Sequence, residues 1–248
     1  MRAFLTLWRK EIAAYFLSPI AYVMMIFFLV VMGFSFWLLA DLLVQGEVGT
    51  TVMKELFGSI FFWIAMLIVV PVLTMRLFAE EKRSGTIETL MTAPVRDAAV
   101  VLAKYAGAMT FFMIIWLPTA GYAFILKSFS PLTAPVDFGP MLSGYLGAFL
   151  VGAWYLSIGV FCSSLTSNQI VSAIVCFAAT CVAFFAGFIA FLSRTESLRN
   201  AFGYVSSVSH MLEFSRGAVD TRPVVFYVTA TALMLFATVK VIESRKWK

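Results

Sequence analysis

The chain has 248 residues and a formal net charge of +5, with 18 Lys and Arg against 13 Asp and Glu. Hydrophobic residues make up 62% of it and charged residues 12%, whereas a soluble domain has roughly 45–50% apolar and about 25% charged residues. This composition excludes an ordinary soluble globule. It also removes the need for a nucleic-acid partner, because basic residues collect in the cytoplasmic loops of membrane proteins.

The first 17 residues predict an amphipathic helix that lies on a membrane surface and contacts lipid. Phe4, Trp8, Ile12 and Tyr15 share one face at helical spacing, opposite polar and small side chains. Glu11 falls at the edge of the apolar face. Two interpretations stay open for it: a hydrated, snorkelling carboxylate, or a group that faces a partner or forms a salt bridge. The apolar run that follows is too long for a cleaved signal peptide.

Six apolar runs are long enough to cross a bilayer, which takes about 20 helical residues. We expect membrane helices at 19–40, 56–75, 99–126, 141–163, 169–192 and 223–241. Pro71 and Pro118 lie inside the second and third runs, and each should bend its helix because proline lacks a backbone N–H. The expected fold is therefore an all-α membrane protein in which residues 1–248 form one domain with six transmembrane helices.

Residues 76–97 have more organisation than a simple connection between the second and third membrane helices. The second helix should continue through a charged block that contains Glu80 and Glu81. Gly85 should end it, since glycine adopts the left-handed turn after a helix at low cost. Thr86 can then cap a new short helix.

This short helix would carry an apolar face inside a charged rim. Glu88 lies in its first turn, near the positive end of the helix dipole. Ile87, Leu90 and Met91 share one face, and Pro94 ends the element. Such a helix at the membrane surface suits insertion into a groove on a cytosolic partner. The alternative is a solvated interfacial turn.

Small residues repeat every four positions in the fourth and fifth membrane helices. Such stripes allow close approach of helix backbones in lipid. We expect them to form helix contacts within the subunit or a dimer seam. They comprise Gly144, Ala148 and Gly152 in the fourth helix, and Ala179, Ala183 and Gly187 in the fifth.

The distribution of Lys and Arg predicts the orientation. With the N-terminus in the cytoplasm, the cytoplasmic segments hold 12 of these residues and the outer segments hold 6. This bias places both termini in the cytoplasm, and residues 41–55 and 193–222 outside.

No residue pattern predicts catalysis or metal binding in this chain. Within the six runs the ionisable Asp, Glu, Lys, Arg or His residues are Lys104 and Lys240, each near a cytoplasmic end, which disfavours ion-coupled transport. The sequence has no phosphate-binding loop or metalloprotease motif. Its single histidine, His210, is expected to be solvated or to cap a helix, and the three cysteines are expected to be packing residues.

Three strings resemble ABC-2 type transporter permeases. The most specific is Phe78–Val95, which is similar to the cytoplasmic element of that family, and Arg9–Tyr22 resembles the opening of the same permeases. Ser209–Asp220 resembles the subgroup associated with gliding motility, which neighbours the permeases of nitrous-oxide reductase maturation.

The resemblance implies a membrane subunit that is not itself an enzyme. In that family the loop after the second helix forms a coupling helix that docks on a separate ATPase, which binds ATP and Mg. Two permease subunits, alike or related, work with two ATPase subunits in the bacterial inner membrane. The segment 193–222 would fold back as short re-entrant helices. The coupling residues carried over are Glu80, Glu81, Gly85, Thr86 and Glu88.

The function implied is ATP-driven export. ATPase closure would push the coupling helices, and the bundles would tilt to open a path between two copies. The alternative is a mechanical or scaffold subunit of an ABC-type complex that transmits force in gliding or envelope machinery. The sequence does not identify a substrate or a cofactor of its own.

Overall fold

Every regular element among the described residues is helical, because backbone groups in lipid must bond within their own segment. The computed structural model describes residues 2–45, 52–86, 95–129, 137–192 and 195–244. Its elements are α1 (Arg2–Phe16), α2 (Pro19–Val44), α3 (Val52–Gly58), α4 (Ile60–Thr74), α5 (Ala79–Arg83), α6 (Asp97–Trp116), a 3-10 turn (Leu117–Ala120), α7 (Gly121–Phe129), α8 (Phe138–Leu165), α9 (Gln169–Leu192), α10 (Glu196–Gly203), α11 (Ser207–Ser215) and α12 (Thr221–Ser244).

The prediction of six membrane helices is confirmed. Six stretches of the described chain are long and apolar enough to cross a bilayer, and they correspond to α2, α4 with α5, α6 with α7, α8, α9 and α12. The second begins at Ile60 instead of 56, because Ser59 caps α4 by accepting a hydrogen bond from the Phe62 N–H at 3.2 Å. Residues before the cap form the separate helix α3.

The predicted bend at Pro118 takes the form of a change in helix type. Leu117–Ala120 form a 3-10 turn between α6 and α7. The hydroxyl of Thr119 donates to the Trp116 carbonyl at 2.6 Å, so a side chain satisfies a backbone acceptor at the break. Pro71 lies inside α4, which continues to Thr74.

The second membrane helix extends to Arg83 and so includes the charged block, as predicted, but it has a break that the sequence did not predict. α4 ends at Thr74, and α5 begins only at Ala79. Ser163 of α8 fills the break: its hydroxyl accepts from the backbone N–H groups of Phe78 and Ala79, at 3.0 and 3.2 Å. The same hydroxyl donates to the Met75 carbonyl at 3.1 Å. A side chain from a distant helix therefore stabilises this turn.

Helix α8 forms the centre of the bundle. In its most apolar stretch 78% of the residues are buried, against 22% for α2, 33% for α9 and 17% for α12. α8 packs against α12, α9, α11 and α4. The weakly buried helices leave apolar faces on the outside of the chain, as expected for contact with lipid or with another subunit.

Helix α1 packs along α6 through the face that the sequence predicted to be apolar. The indole N–H of Trp8 donates to the Thr110 hydroxyl at 3.1 Å. The Tyr15 ring stacks on Phe111 with centroids 4.9 Å apart, and its hydroxyl donates to the Leu73 carbonyl at 2.7 Å. The amphipathic helix is thus joined to the bundle by specific contacts.

The segment between α9 and α12 contains two short helices, α10 and α11. The Ser206 hydroxyl caps α11 by accepting from the Ser209 N–H at 3.1 Å. α11 packs on α8, where the Ser143 hydroxyl donates to the Phe214 carbonyl at 2.6 Å. Short helices at this place agree with the expectation for this segment, and their re-entry into a membrane stays a prediction.

Candidate functional site

Lys104 of α6 is the buried centre of a cluster of charged side chains. Its ammonium contacts Glu11 Oε1 of α1 and Glu81 Oε1 of α5, each at 2.8 Å. The Lys104 side chain is 5% exposed, and those of Glu11 and Glu81 are 11% and 17% exposed. These ion pairs join three helices that are far apart in the sequence.

Gly107 makes the contact between α1 and α6 possible. It lies one helical turn after Lys104, on the same face of α6. A Cβ atom at this position would lie 2.7 Å from Glu11 Cβ, closer than side chains approach. Because glycine has no Cβ, α1 can come near enough for the Glu11 carboxylate to reach the ammonium.

A third ion pair lies beside these two and closes the turn between α4 and α5. Arg76 binds Glu80 through two hydrogen bonds, of 2.7 and 3.1 Å. A third nitrogen of the guanidinium donates to the Ser18 hydroxyl at 2.6 Å, just before α2. We call the set Glu11, Arg76, Glu80, Glu81 and Lys104 the charged junction.

The exposed ion pair between Arg76 and Glu80 contributes less to stability than the two buried ion pairs of Lys104. The side chains of Arg76 and Glu80 are 35% and 46% exposed, and such surface pairs contribute about 0–1 kcal/mol. Removing one partner of a buried pair costs about 3–5 kcal/mol, because an uncompensated charge stays behind. Lys104 therefore fixes the geometry of the junction.

The surroundings of the junction are polar but incompletely paired. Burial, and then the negative charge of Glu11, raises the pKa of Tyr15, which keeps its hydroxyl protonated as a donor. The ammonium of Lys82 donates to the Ser164 carbonyl at the end of α8. Glu81 Oε2 is buried and has no hydrogen-bond partner. The junction thus holds two carboxylates around one ammonium, with one oxygen unsatisfied.

The described part of residues 76–97 has the helix stop that the sequence predicted. Gly85 has a φ of 72°, so the left-handed turn after α5 is confirmed. The Thr86 hydroxyl lies 2.9 Å from the Ser84 hydroxyl. The remaining predicted docking residues lie outside the described residues: Ile87, Glu88, Leu90 and Met91.

A comparison with protein families decides what kind of membrane protein this is. The family described as ABC-2 family transporter protein matches residues 43–240, well over half of the 248 residues. The chain belongs to this family. A search of curated proteins found no match.

The family match includes most of the permease but begins after α1 and near the end of α2. Glu81 and Lys104 lie inside the matched region, whereas Glu11 lies before it. The charged junction therefore connects the matched bundle to the N-terminal helix.

The small-residue stripes of the permease lie against residues of the same chain. A side chain at Gly144 would collide with the Phe57 ring, and one at Gly152 with the Phe112 ring. Gly187 adjoins Ser206 in the same way. Ala148 and Ala183 are buried, and Ala179 is partly buried against the core. These contacts lie within the subunit, and a dimer seam stays a prediction.

Sequence reasoning about the permease misplaced two ionisable side chains. Glu11 lies in the middle of the packed face of α1, not at its edge, and of the two open interpretations the salt bridge is the one found. His210 is 8% exposed instead of solvated, with Nδ1 3.2 Å from the Tyr227 hydroxyl. Burial lowers the pKa of His210.

For other residues of the site, the sequence contains no pattern, or only a weak one, that would predict their role. Ser163 is one hydroxyl among several in α8, and nothing local marks it as the support of the α4–α5 turn. Lys104 stood out as a charge in an apolar run, and an acid on a neighbouring amphipathic helix was its available partner. Within the described ranges no group of three potential metal ligands occurs, and Cys162, Cys176 and Cys181 are free thiols.

Proposed function

We propose that this chain is the transmembrane permease subunit of an ATP-driven ABC-2 exporter, coupled through residues 76–97 to a separate ATPase that binds ATP and Mg. The observation that carries the proposal is the charged junction, since Glu81 at the start of the coupling element is tied through Lys104 to α6 and α1. A push on the coupling element would reach the transmembrane bundle through these buried contacts.

The proposed stroke starts at the ATPases. Their closure on ATP would move the short helix that begins near Thr86, and α5 would carry this displacement into the junction. The junction is stiff, because breaking its buried pairs costs more than a small rotation of packed helices. The bundle would therefore tilt as one body, and a path between two permease copies would open outward.

A pair of permease subunits supports this proposal better than a single one. α8 is the most buried of the six membrane helices of the described chain, whereas α2, α9 and α12 expose apolar faces. The proposed working unit has two permease copies, alike or related, and two ATPase copies.

The first experiment tests ATPase docking at Leu90. Leu90→Asp would bury an unpaired carboxylate in the proposed groove, which is costly, so the ATPase should no longer copurify in mild detergent. Leu90→Met is the matched control, because it keeps an apolar side chain of similar volume. Retention of the ATPase by Leu90→Asp at wild-type stoichiometry would contradict the docking role.

The proposed location is the bacterial inner membrane, with both termini in the cytoplasm. The excess of Lys and Arg at the end that carries the charged junction supports it. In a cysteine-free background, Ser197→Cys should react with an impermeant thiol reagent in intact cells, and Ser244→Cys should not. Both positions are exposed in the fold. The reverse labelling pattern would overturn the orientation.

A second candidate is a subunit that uses the same ATPase to transmit force. The observation in its favour is the resemblance of residues 209–220 to the gliding-motility subgroup. Reconstitution with the ATPase in liposomes separates the two functions: an exporter shows ATP hydrolysis stimulated by its substrate, and a force-transmitting subunit does not.

A further inference from the structure

A cavity of about 250 Å³ lies between α1, the start of α2 and the end of α4, beside the charged junction. This volume far exceeds the roughly 10–15 Å³ that a single water requires. Its polar wall includes Lys10, Ser18, Arg76 and Glu81. Its apolar wall includes Ile20, Ala21, Val72, Leu73 and Leu77. The lining is thus amphipathic, and it lies where membrane helices meet a surface helix.

The charge balance of the polar wall is incomplete. Glu11 and Glu81 face a single ammonium, that of Lys104, so the buried group carries an excess negative charge. Glu81 Oε2 is buried without a partner. Because the carboxylates of Glu80 and Glu81 both line the cavity, a cationic N–H donor is the group that would balance this side of it.

The neighbouring part of the cavity wall is positively charged and favours a negatively charged group. Lys10 has no ion-pair partner among the described residues, and it lies on the same wall as Arg76. Arg76 is bound by Glu80 and Ser18, yet its side chain stays 35% exposed. A guanidinium and an ammonium beside a hydroxyl form a typical environment for a phosphate group.

We propose that this cavity binds a phospholipid whose headgroup carries both a phosphate and a primary ammonium. The ammonium would lie against the carboxylates of Glu80 and Glu81 on the cavity wall, and the phosphate would lie near Lys10 and Arg76. The acyl chains would follow Ile20, Ala21 and Val72 into the bilayer. Three parts of one molecule thus match three adjacent parts of one cavity, at the depth where a surface helix holds the headgroup region.

The bound lipid would have a structural consequence. It would fill the space between α1 and the ends of α2 and α4 and would compensate the excess charge of the junction. The proposal depends on the cavity and its charges, and it holds whether the chain exports a substrate or transmits force.

The test is lipid retention by the purified full-length chain, measured by native mass spectrometry after exchange into defined lipids. Phosphatidylethanolamine should be retained at least about tenfold better than phosphatidylcholine, since trimethylation removes every N–H donor and one charge-assisted hydrogen bond has about this value. Phosphatidylglycerol, which has the phosphate but no ammonium, should also be retained more weakly. Equal retention of the three lipids would overturn the proposal.

Two variants locate the site. Lys10→Gln changes an exposed side chain outside the buried ion pairs, and it should lower retention of phosphatidylethanolamine. Lys127→Gln is the matched control, an exposed lysine in α7 at the other end of the bundle, and it should leave retention unchanged. Equal retention by these two variants would place the lipid elsewhere.

Glu81→Gln tests the ammonium contact and should remove the preference for phosphatidylethanolamine over phosphatidylcholine. If this variant does not fold, the comparison of lipids on the wild-type chain decides the same point. Soluble glycerophosphoethanolamine serves as a competitor. Displacement of the lipid by it at similar concentration would show that the headgroup alone is bound and would overturn the role of the apolar wall.

Discussion

At the end of the bundle that carries the charged junction, α1, α5 and α6 meet on buried ion pairs around Lys104. At the opposite end, formed by α3, α7, α10 and α11, hydroxyls, carbonyls and a buried histidine are among the groups that join the helices. There Ser143 donates to the Phe214 carbonyl, and His210 contacts the Tyr227 hydroxyl.

This difference indicates that the charged end of the bundle is stiffer than the opposite end. Buried charge pairs cannot be separated without leaving a charge unpaired, so the charged end should move as one unit. A neutral hydrogen bond has a net value of about 1 kcal/mol, so the opposite end can exchange its contacts more easily. The export cycle proposed above would use this combination of a rigid end at the ATPase and a more adaptable end across the membrane.

The largest expected effect comes from removing the centre of the charged junction. Lys104→Met leaves Glu11 and Glu81 buried without their cation, which should lower the free energy of unfolding by about 3–5 kcal/mol. Lys240→Met is the control, because its pair with Glu243 has side chains 57% and 40% exposed and should contribute about 0–1 kcal/mol. Thermal unfolding in detergent measures both. Similar losses in the two variants would remove the distinction between the ends.

The second-largest expected effect comes from disturbing the close packing of helices at the opposite end. Gly144→Leu would drive a side chain into the Phe57 ring, and overpacking of this kind costs about 1–3 kcal/mol. Gly121→Leu is the control, since a Cβ there meets nothing within 4 Å. We expect Gly144→Leu to express poorly in fluorescence-detected size exclusion. A stable monomer that replaces a wild-type dimer would instead place the first stripe at a dimer seam.

A smaller effect measures one neutral contact at the opposite end. Ser143→Ala removes the hydrogen bond from α8 to the Phe214 carbonyl of α11 and should cost about 1 kcal/mol. Ser157→Ala removes a buried hydroxyl that bonds only the Trp154 carbonyl of its own helix, so it should cost less. A loss in Ser143→Ala as large as that in Lys104→Met would show that the opposite end is equally rigid.

The smallest effect is a pH dependence that arises at His210. Burial lowers the pKa of this side chain, against a smaller raising effect of Asp220. The unfolded state therefore binds a proton at a higher pH than the folded state, so stability is complete above about pH 6.5 and falls as the pH drops below it. His210 is the single histidine of the chain. His210→Gln should reduce the loss of melting temperature between pH 7.5 and pH 5.5. An equal loss in the variant and the wild type would show that other groups cause the pH dependence.

Much of the fold could be predicted because its signals are local. The six apolar runs, the packed face of α1 and the left-handed Gly85 each depend on a short window of sequence. The break at the end of α4 was not predicted; there Ser163 of α8 satisfies the backbone across the α4–α5 turn. The bonding partner lies 85 residues away from Phe78, so no window around the turn contains the cause.

The residues of the candidate site were likewise predictable from the local sequence, whereas their contacts were not. Glu80, Glu81, Gly85 and Thr86 were found from a string of neighbouring residues, and Lys104 stood out as a charge in an apolar run. Their meeting with Glu11 depends on the close approach of α1 and α6 at Gly107. Neither the glycine nor the acid carries a mark in the sequence that links them.

Composition and apolar run lengths were enough to predict a membrane protein, its six membrane helices and the left-handed turn at Gly85. These properties follow from the length and composition of single segments, because each membrane helix satisfies its own backbone. Only the tertiary structure decided which charges are paired, which hydroxyls replace backbone bonds and which glycines admit a neighbouring helix. Such contacts join segments tens of residues apart, and their energies depend on burial, which no single segment sets.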